Sequence, residues 1–175
     1  VSLSFDVMSP EEKAALTTKL RGGVTERSRG ISVDASTRVL AVASGKGGVG
    51  KSSLTVNLAA ALSRHGQRVG VLDADVYGHS IPHMLGIHQR PIAIDSMIVP
   101  PEANGVSCIS MGFFAQEDQA VIWRGPMLHK ALEQFLTDVY WDEPDYLVVD
   151  LPPGTGDISL SLAQFLPQAE VYVVT

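Results

Sequence analysis

The pattern of apolar and polar residues changes near residue 38. From there on, short apolar runs alternate with longer segments of helical character, which is typical of a sheet built from strand–helix–strand units. The predicted strands are residues 39–43, 69–72, 106–111, 146–149 and 171–175. The predicted helices are residues 51–64, 126–140 and 158–166, whereas residues 79–99, rich in Pro, Gly and Ile, are expected to be irregular. The sequence therefore predicts an α/β fold, mainly a parallel sheet flanked by helices.

A separate and shorter pattern precedes this region. Residues 1–7 alternate as in a strand, and Ser9-Pro10-Glu11-Glu12 is a typical helix start. Ser can cap the helix, Pro suits its first turn, and the two carboxylates face the positive end of the helix dipole. This helix is expected to run to about residue 20, and the polar residues 24–37 to form a linker. Because a crossover helix normally covers a parallel strand and none follows residues 171–175, we expect a domain truncated at its C-terminus.

A glycine-rich segment between the first predicted strand and helix of this region fits the phosphate-binding pattern G-x-x-x-x-G-K-[ST]. Its glycines allow a tight turn whose N–H groups converge on phosphate oxygens at the positive end of the following helix. Lys51 would neutralise the β- and γ-phosphates, and the Ser52 hydroxyl would ligate magnesium. The candidate nucleotide-binding residues are Gly45, Lys46, Gly47, Gly48, Val49, Gly50, Lys51, Ser52 and Ser53.

This segment predicts a P-loop NTPase that binds ATP with Mg²⁺. The alternative is a glycine-rich turn that binds nothing, but such a turn would need neither the Lys-Ser pair nor both flanking elements.

Carboxylates follow two of the predicted strands. Asp150 ends the run 146–149 and so lies at the carboxyl edge of the sheet, where ligands of open parallel sheets bind, and it is a candidate partner of magnesium through water. Asp73 and Asp75 follow another strand, and their spacing of two predicts that both side chains face the phosphate edge. Capping of the strand end is the alternative for this pair.

The loop after Asp150 contains Gly154 and Gly156, whose N–H groups are candidates for contact with the γ-phosphate and for a change of conformation on its loss. A plain turn into the next helix, capped by Asp157, explains the same residues.

Composition narrows the range of partners and locations. The chain is 45% hydrophobic and 18% charged, as expected of a soluble globular protein, and its formal net charge is −6 without a basic run, so a nucleic-acid partner is not expected. The single cysteine, Cys108, excludes an internal disulfide and is expected to be a buried structural thiol. No apolar run is long enough for a membrane helix, so we expect a cytoplasmic protein without a membrane partner.

A second lysine at the start of the loop, Lys46, is not required by the generic pattern. With it, the loop resembles that of the deviant Walker A ATPases, in which this lysine reaches the nucleotide of the partner subunit. The resemblance implies a nucleotide-sandwich homodimer; a solvated loop lysine is the alternative. It also implies that Asp75 positions or deprotonates the attacking water and that Asp73 supports the magnesium shell. The catalytic candidates are thus Lys46, Lys51 and Asp75, and the metal candidates Ser52, Asp73 and Asp150.

Three further segments make residues 38–175 resemble the Mrp/ApbC family of iron–sulfur cluster carrier ATPases. They are Asp73-Ala74-Asp75-Val76-Tyr77-Gly78-His79-Ser80-Ile81-Pro82, Trp123-Arg124-Gly125-Pro126-Met127, and Asp145 to Asp157. The resemblance implies an ATPase domain at 38–175 that assembles or transfers iron–sulfur clusters to apoproteins, preceded at 1–23 by the tail of a small α+β domain. The bland alternatives are core positions for Trp123 and Met127, and a carboxylate partner for Arg124. A metal pair of His79 and His83 is disfavoured by Pro82.

One feature of that family is missing. Cluster-carrying members use a Cys-x-x-Cys pair, whereas this chain has Cys108 alone, so an iron–sulfur cluster is implied by resemblance only and no cluster ligands are identifiable. Two rival functions are a partitioning or positioning switch ATPase that acts on DNA or membrane, and a small-molecule kinase or ligase.

Overall fold

The computed structural model describes residues 8–12, 15–16, 33–114, 125–154 and 156–175. The strands are, in chain order, β1 (Arg38–Ser44), β2 (Val69–Asp73), β3 (Ile92–Ile94), β4 (Met97–Val99), β5 (Glu102–Ala103), β6 (Val106–Ser110), β7 (Tyr146–Asp150) and β8 (Glu170–Val174). The helices are α1 (Lys51–Arg64), α2 (Ile81–Leu85), α3 (Gly125–Thr137) and α4 (Asp157–Phe165), and a 3₁₀ turn spans Met111–Phe113.

Six of the strands form one sheet in the order β5-β6-β2-β7-β1-β8. All neighbours in it are parallel except β5 and β6, which form an antiparallel pair. The register places Asp73 opposite both Asp150 and Ser110 at the carboxyl edge. The parallel sheet with flanking helices is the expected P-loop NTPase fold, and it brings the ends of β2, β6 and β7 to the same edge as the glycine-rich loop after β1.

Helices cover both faces of the sheet because its strands carry apolar side chains on both. One face packs α1 and α2 against strand residues such as Val42, Val71 and Val148. The other face packs α3 and α4 against residues such as Leu72, Leu147 and Val149. Alternate residues of β1, β2, β6 and β7 thus enter different cores, which explains the continuous apolar runs of these strands.

The prediction that residues 79–99 are irregular is wrong in part. Ser80 and Pro82 begin the short helix α2, which Gly86 ends in the left-handed conformation at φ 75°. β3 and β4 form an antiparallel hairpin around Asp95, at φ 54°. Proline is compatible with a helix start, and a two-residue Asp-Ser turn lacks the glycine that usually marks such a hairpin, so composition alone gave the wrong prediction.

Two other elements differ from the predictions. The helix predicted to reach residue 140 ends at Thr137, because the backbone of Val139 pairs with Ile98 instead. The hairpin of β5 and β6 was not predicted, although Asn104-Gly105, both at positive φ, is a strong hairpin signal.

The structure describes the N-terminal segment only in part. The Ser9 hydroxyl accepts from the Glu12 N–H at 3.2 Å, and Glu12 accepts from the Ser9 N–H at 2.8 Å, so the predicted helix start is a capping box. The predicted strand at 1–7 and most of the helix after it lie outside the described residues. Val33 is buried in the core, and the Thr37 hydroxyl donates to the Pro144 carbonyl at 2.7 Å. Among the described helices, none combines the length and apolar character needed to cross a membrane.

Candidate functional site

The glycine-rich loop connects the end of β1 to the start of α1. Gly48 and Gly50 have φ of 78° and 93°, a conformation that a residue with a Cβ adopts only with strain. A Cβ added at Gly45, Gly47, Gly48 or Gly50 would meet no other atom within 4 Å, so this side of the loop borders open space. Gly50 is the N-cap of α1, and no side chain caps this 14-residue helix. Its first N–H groups are therefore available to an anion at the positive end of the helix.

Lys51 lies buried between two carboxylates. Its ammonium is 2.7 Å from Asp150 Oδ2 and 3.5 Å from Asp75 Oδ2. The Ser52 hydroxyl donates to the same Asp150 oxygen at 2.6 Å, and the Thr55 hydroxyl donates to Asp150 Oδ1 at 2.7 Å. Asp150 itself is fully buried at the end of β7. The buried charges of Lys51 and Asp150 thus balance each other, and the two hydroxyls supply the further hydrogen bonds that a buried ion pair requires.

The two aspartates after β2 have different surroundings. Asp75 borders the cavity beside the glycine-rich loop, contacts Lys51 and accepts from the Gly78 N–H at 3.1 Å. Asp73 is fully buried and accepts from the Ser110 hydroxyl at 2.9 Å and from the Asp75 N–H at 3.2 Å. Burial raises the pKa of Asp73 to about 7, and the nearby charges of Asp150 and Asp75 act in the same direction, against the two hydrogen bonds. Support of magnesium by Asp73 stays a prediction.

The loop after β7 forms another wall of the cavity through Pro152, Pro153 and Gly156. Gly154, at φ 92°, donates its N–H to the Ser44 carbonyl at 2.7 Å, so contact with a phosphate would require that bond to break. The alternative reading of this loop, a turn in which Asp157 caps the following helix, is wrong about the cap. Gly156 occupies the cap position without a side-chain bond, and Asp157 is the first residue of α4.

These elements enclose a cavity of about 740 Å³, a volume typical of sites for small organic ligands. Its polar lining residues include those of the glycine-rich loop, Lys51, Ser52 and Asp75. Its apolar lining residues include Val76, Tyr77, Met84, Leu128 and Ile158. Tyr77 is 82% exposed.

Lys46 is exposed and lines the same cavity. Within the described part of the chain, no acidic side chain forms an ion pair with it, in contrast to Lys51. Trp123 and Arg124 lie outside the described residues. Met127 is 46% exposed, so the core alternative for it is wrong, and His79 Nδ1 lies 3.2 Å from the Val76 carbonyl oxygen.

The predicted burial of Cys108 is confirmed. Its side chain is fully buried, and burial raises the pKa of the thiol well above its ordinary value. No group of three or more His, Cys, Asp or Glu side chains with the spacing of a metal site occurs among the residues described.

The residues present fit a nucleoside triphosphate with magnesium. The open glycine loop and Lys51 match phosphate groups. The Ser52 hydroxyl would be a direct oxygen ligand of magnesium and Asp150 a partner through water, and magnesium takes few ligands from protein when phosphates and water complete its shell. Ser44 is one of the residues around the cavity, and its hydroxyl is, among the described residues, the one buried side-chain polar atom without a hydrogen-bond partner. Such an orphan is an independent indication of a polar ligand.

Sequence reasoning missed Thr55, which lies behind the site and contacts Asp150, and Ser44, which is one of the residues around the cavity. Thr55 lies four residues after Lys51 and therefore on the same face of α1, a spacing that could have indicated it. Ser44 directly precedes the glycine-rich pattern, and no signal in the sequence marks its hydroxyl.

Comparison with known proteins gives a consistent match. The model of a ParA-type family described as NUBPL iron-transfer P-loop NTPase matches residues 35–175. The iron-sulfur cluster carrier protein of Mycobacterium leprae is 57% identical over 176 residues, which cover all of this chain and 46% of that protein. The protein of the same name from Bacillus subtilis is 47% identical over 175 residues, with 100% and 49% covered.

Among solved structures, a nucleotide-binding protein of Archaeoglobus fulgidus in complex with ADP is 36% identical. The match has a TM-score of 0.67 and covers 79% of this chain and 54% of that one. The chain spans about half the length of the curated relatives it matches.

Proposed function

Because the chain belongs to the ParA-type family of NUBPL iron-transfer P-loop NTPases, we propose that it forms the ATP-binding and ATP-hydrolysing part of a protein that assembles or transfers iron–sulfur clusters to apoproteins. The single observation that carries the nucleotide part is the arrangement of Lys51, Ser52 and Asp150 beside a glycine loop that borders open space. The cluster part is supported by the curated relatives, which are named iron-sulfur cluster carrier proteins.

In this proposal the loop N–H groups and Lys51 bind the phosphates. Lys51 is held by two carboxylates and would exchange part of that contact for phosphate oxygens, without a large movement of its ammonium. The Ser52 hydroxyl and, through water, Asp150 would hold magnesium, with Asp73 behind them. Magnesium, when bound, would neutralise charge on the β- and γ-phosphates.

Hydrolysis requires a group that orients the attacking water. Two described carboxylates border the cavity, Asp75 and Asp157, and we assign this role to Asp75 because it is the one in contact with Lys51. Its bond to the Gly78 N–H fixes the carboxylate, and catalysis of phosphoryl transfer is mainly positioning and charge stabilisation.

We further propose a homodimer in which Lys46 acts on the nucleotide of the partner subunit. Lys46 lines the cavity, is exposed, and is not occupied by an acidic side chain of the described residues. A lysine in this situation is available to a second phosphate-bearing surface, whereas Lys51 is committed to its own site.

The cluster itself would be cargo. The sequence holds one cysteine, and Cys108 is fully buried, so this chain does not offer the set of thiolates that iron–sulfur clusters need. We infer that the ligands come from elsewhere in the full-length protein. The switch alternative, with DNA or membrane as partner, is disfavoured by the net charge of −6.

The nucleotide part is tested with two lysine variants of the full-length protein. Lys51→Ala is expected to weaken ATP binding more than tenfold, because it removes the cation of the phosphate site. Lys46→Ala is expected to leave ATP binding within threefold of wild type and to reduce ATP hydrolysis more than tenfold. Equal loss of binding in both variants would contradict the role of Lys46 in the partner's site.

The cluster part is tested by anaerobic reconstitution of the full-length dimer with iron and sulfide, followed by incubation with an apo-acceptor. Cluster absorbance that passes to the acceptor is the expected result, and Lys51→Ala serves as the nucleotide-deficient control. A protein that binds ATP normally but neither acquires nor transfers a cluster would exclude the carrier function while leaving the ATPase assignment intact.

A further inference from the structure

The two oxygens of the Asp150 carboxylate have different partners. Oδ2 faces the phosphate site, where the Lys51 ammonium lies at 2.7 Å and the Ser52 hydroxyl at 2.6 Å. Oδ1 faces α1, where the Thr55 hydroxyl lies at 2.7 Å. Among the described residues no other group donates to Oδ1. The rotation of the Asp150 carboxylate about its last torsion is therefore fixed by Thr55 at Oδ1 and by Lys51 and Ser52 at Oδ2.

Thr55 has one proton and two acceptors within reach. The Lys51 carbonyl, four residues earlier in the same helix, lies at 3.1 Å, the ordinary acceptor of a threonine inside a helix. The Asp150 carboxylate is closer and charged, so it is the stronger acceptor. Thr55 is fully buried, and no water competes for this proton from bulk solvent. The hydroxyl is thus committed to Asp150.

We propose that Thr55 is a positioning residue for the metal of this site: it fixes Asp150 so that Oδ2 faces Ser52, whose hydroxyl can donate to Oδ2 while it offers a lone pair to magnesium. The inference rests on the proposed nucleotide function. It deepens that function by adding a residue behind the ligands, one helical turn beyond Lys51. The Ser52 and Thr55 hydroxyls then donate to the two different oxygens of one fully buried carboxylate, that of Asp150.

The consequence concerns metal affinity more than nucleotide affinity. The glycine loop and Lys51 bind phosphate without Thr55, so loss of its hydroxyl leaves the nucleotide site intact. It frees Asp150 to rotate and weakens the orientation of the Ser52 hydroxyl. Changes of residues that orient metal ligands typically reduce metal affinity by about 10–100-fold.

The test uses the full-length protein with Thr55→Val, which keeps the shape of the side chain and removes the hydroxyl, and Thr55→Ser, which keeps the hydroxyl. ADP affinity is measured in EDTA, and the affinity of the ADP complex for Mn²⁺ is measured by electron paramagnetic resonance. Thr55→Val is expected to weaken Mn²⁺ binding at least tenfold with ADP affinity in EDTA within twofold of wild type. Thr55→Ser is expected to bind Mn²⁺ within threefold of wild type.

Three results would overturn the proposal. Unchanged Mn²⁺ affinity in Thr55→Val means that Asp150 does not need the hydroxyl. An equal loss of ADP affinity in EDTA means that the variant damages the loop and not the metal ligands. Wild-type protein that binds no ADP refutes the nucleotide function as well, and so separates that failure from the other two. If Thr55→Val does not fold, Thr55→Ala against Thr55→Ser gives the same comparison.

Discussion

Asp73 is expected to make the stability of this domain depend on pH between 4 and 7. It is fully buried at the end of β2, opposite Asp150 in the register. Burial, reinforced by the charges of Asp150 and Asp75, raises its pKa from 3.8 to about 7 in the folded protein. The folded state therefore binds a proton that the unfolded state releases in this range. The contribution of Asp73 to the free energy of unfolding therefore falls as pH rises from about 4 and levels off above about 7.

The difference between 3.8 and about 7 corresponds to about 4 kcal/mol of unfolding free energy, because each tenfold change in proton affinity is worth about 1.4 kcal/mol. More than half of it falls between pH 5 and pH 8. Asp73→Asn removes this contribution, since an amide does not ionise. The Asp73 carboxylate accepts one hydrogen bond from Ser110 and one from the Asp75 N–H, and the asparagine amide can accept only one of them. The lost bond lowers the free energy of unfolding by about 1 kcal/mol at every pH. The variant is thus expected to be the less stable protein at acid pH and the more stable one at pH 8.

Urea unfolding of both proteins at pH 5, 6, 7 and 8, without nucleotide or metal, measures this difference. Trp141 is buried beside Gly70 of β2, so its fluorescence reports on the region that contains Asp73. Glu133→Gln, at an exposed position of α3, is the control for loss of one carboxylate. A difference between Asp73→Asn and wild type that stays constant within about 0.5 kcal/mol over this range would refute the reasoning. The same series with Mg²⁺ and ADP tests whether Asp73 supports the metal, because a nearby cation would move the transition to lower pH.

Two further substitutions and one labelling experiment have defined outcomes. Ser44→Ala is expected to raise the free energy of unfolding by about 1–3 kcal/mol, because it removes a buried hydroxyl that has no partner among the described residues. It is also expected to weaken ADP binding in a calorimetric titration. A variant less stable than wild type would contradict the first expectation. Gly70→Ala places a Cβ 2.7 Å from the buried Trp141 ring and is expected to lower the unfolding free energy by about 1–3 kcal/mol in urea, with ADP affinity unchanged. Cys108 is expected to react with a thiol reagent only in denaturant, because it is fully buried with a raised pKa, and rapid labelling of the native protein would exclude this.

The sequence by itself determined the parts of the site that depend on local chemistry. The glycine pattern with Lys51 and Ser52 specifies a loop between a strand and a helix, since the turn and the helix N-terminus are both encoded within a few residues. The apolar runs specify the strands of the main sheet and place Asp150 at its carboxyl edge. Short elements were harder to predict from the sequence. The helix α2 and the hairpin of β3 and β4 contain too few residues for a period to emerge from their composition.

Only the tertiary structure decided which of the charged groups are buried and which partner each one contacts. Asp73 and Asp75 are two residues apart, yet β2 ends at Asp73, so the alternation of a strand does not extend to Asp75. One carboxylate becomes fully buried beside Ser110 and the other contacts Lys51. Thr55 contacts Asp150, 95 residues away, because α1 packs over β7, and no local pattern encodes a contact of that separation. Local sequence fixes which groups can bind phosphate, whereas long-range packing fixes which of them are buried and how they are paired.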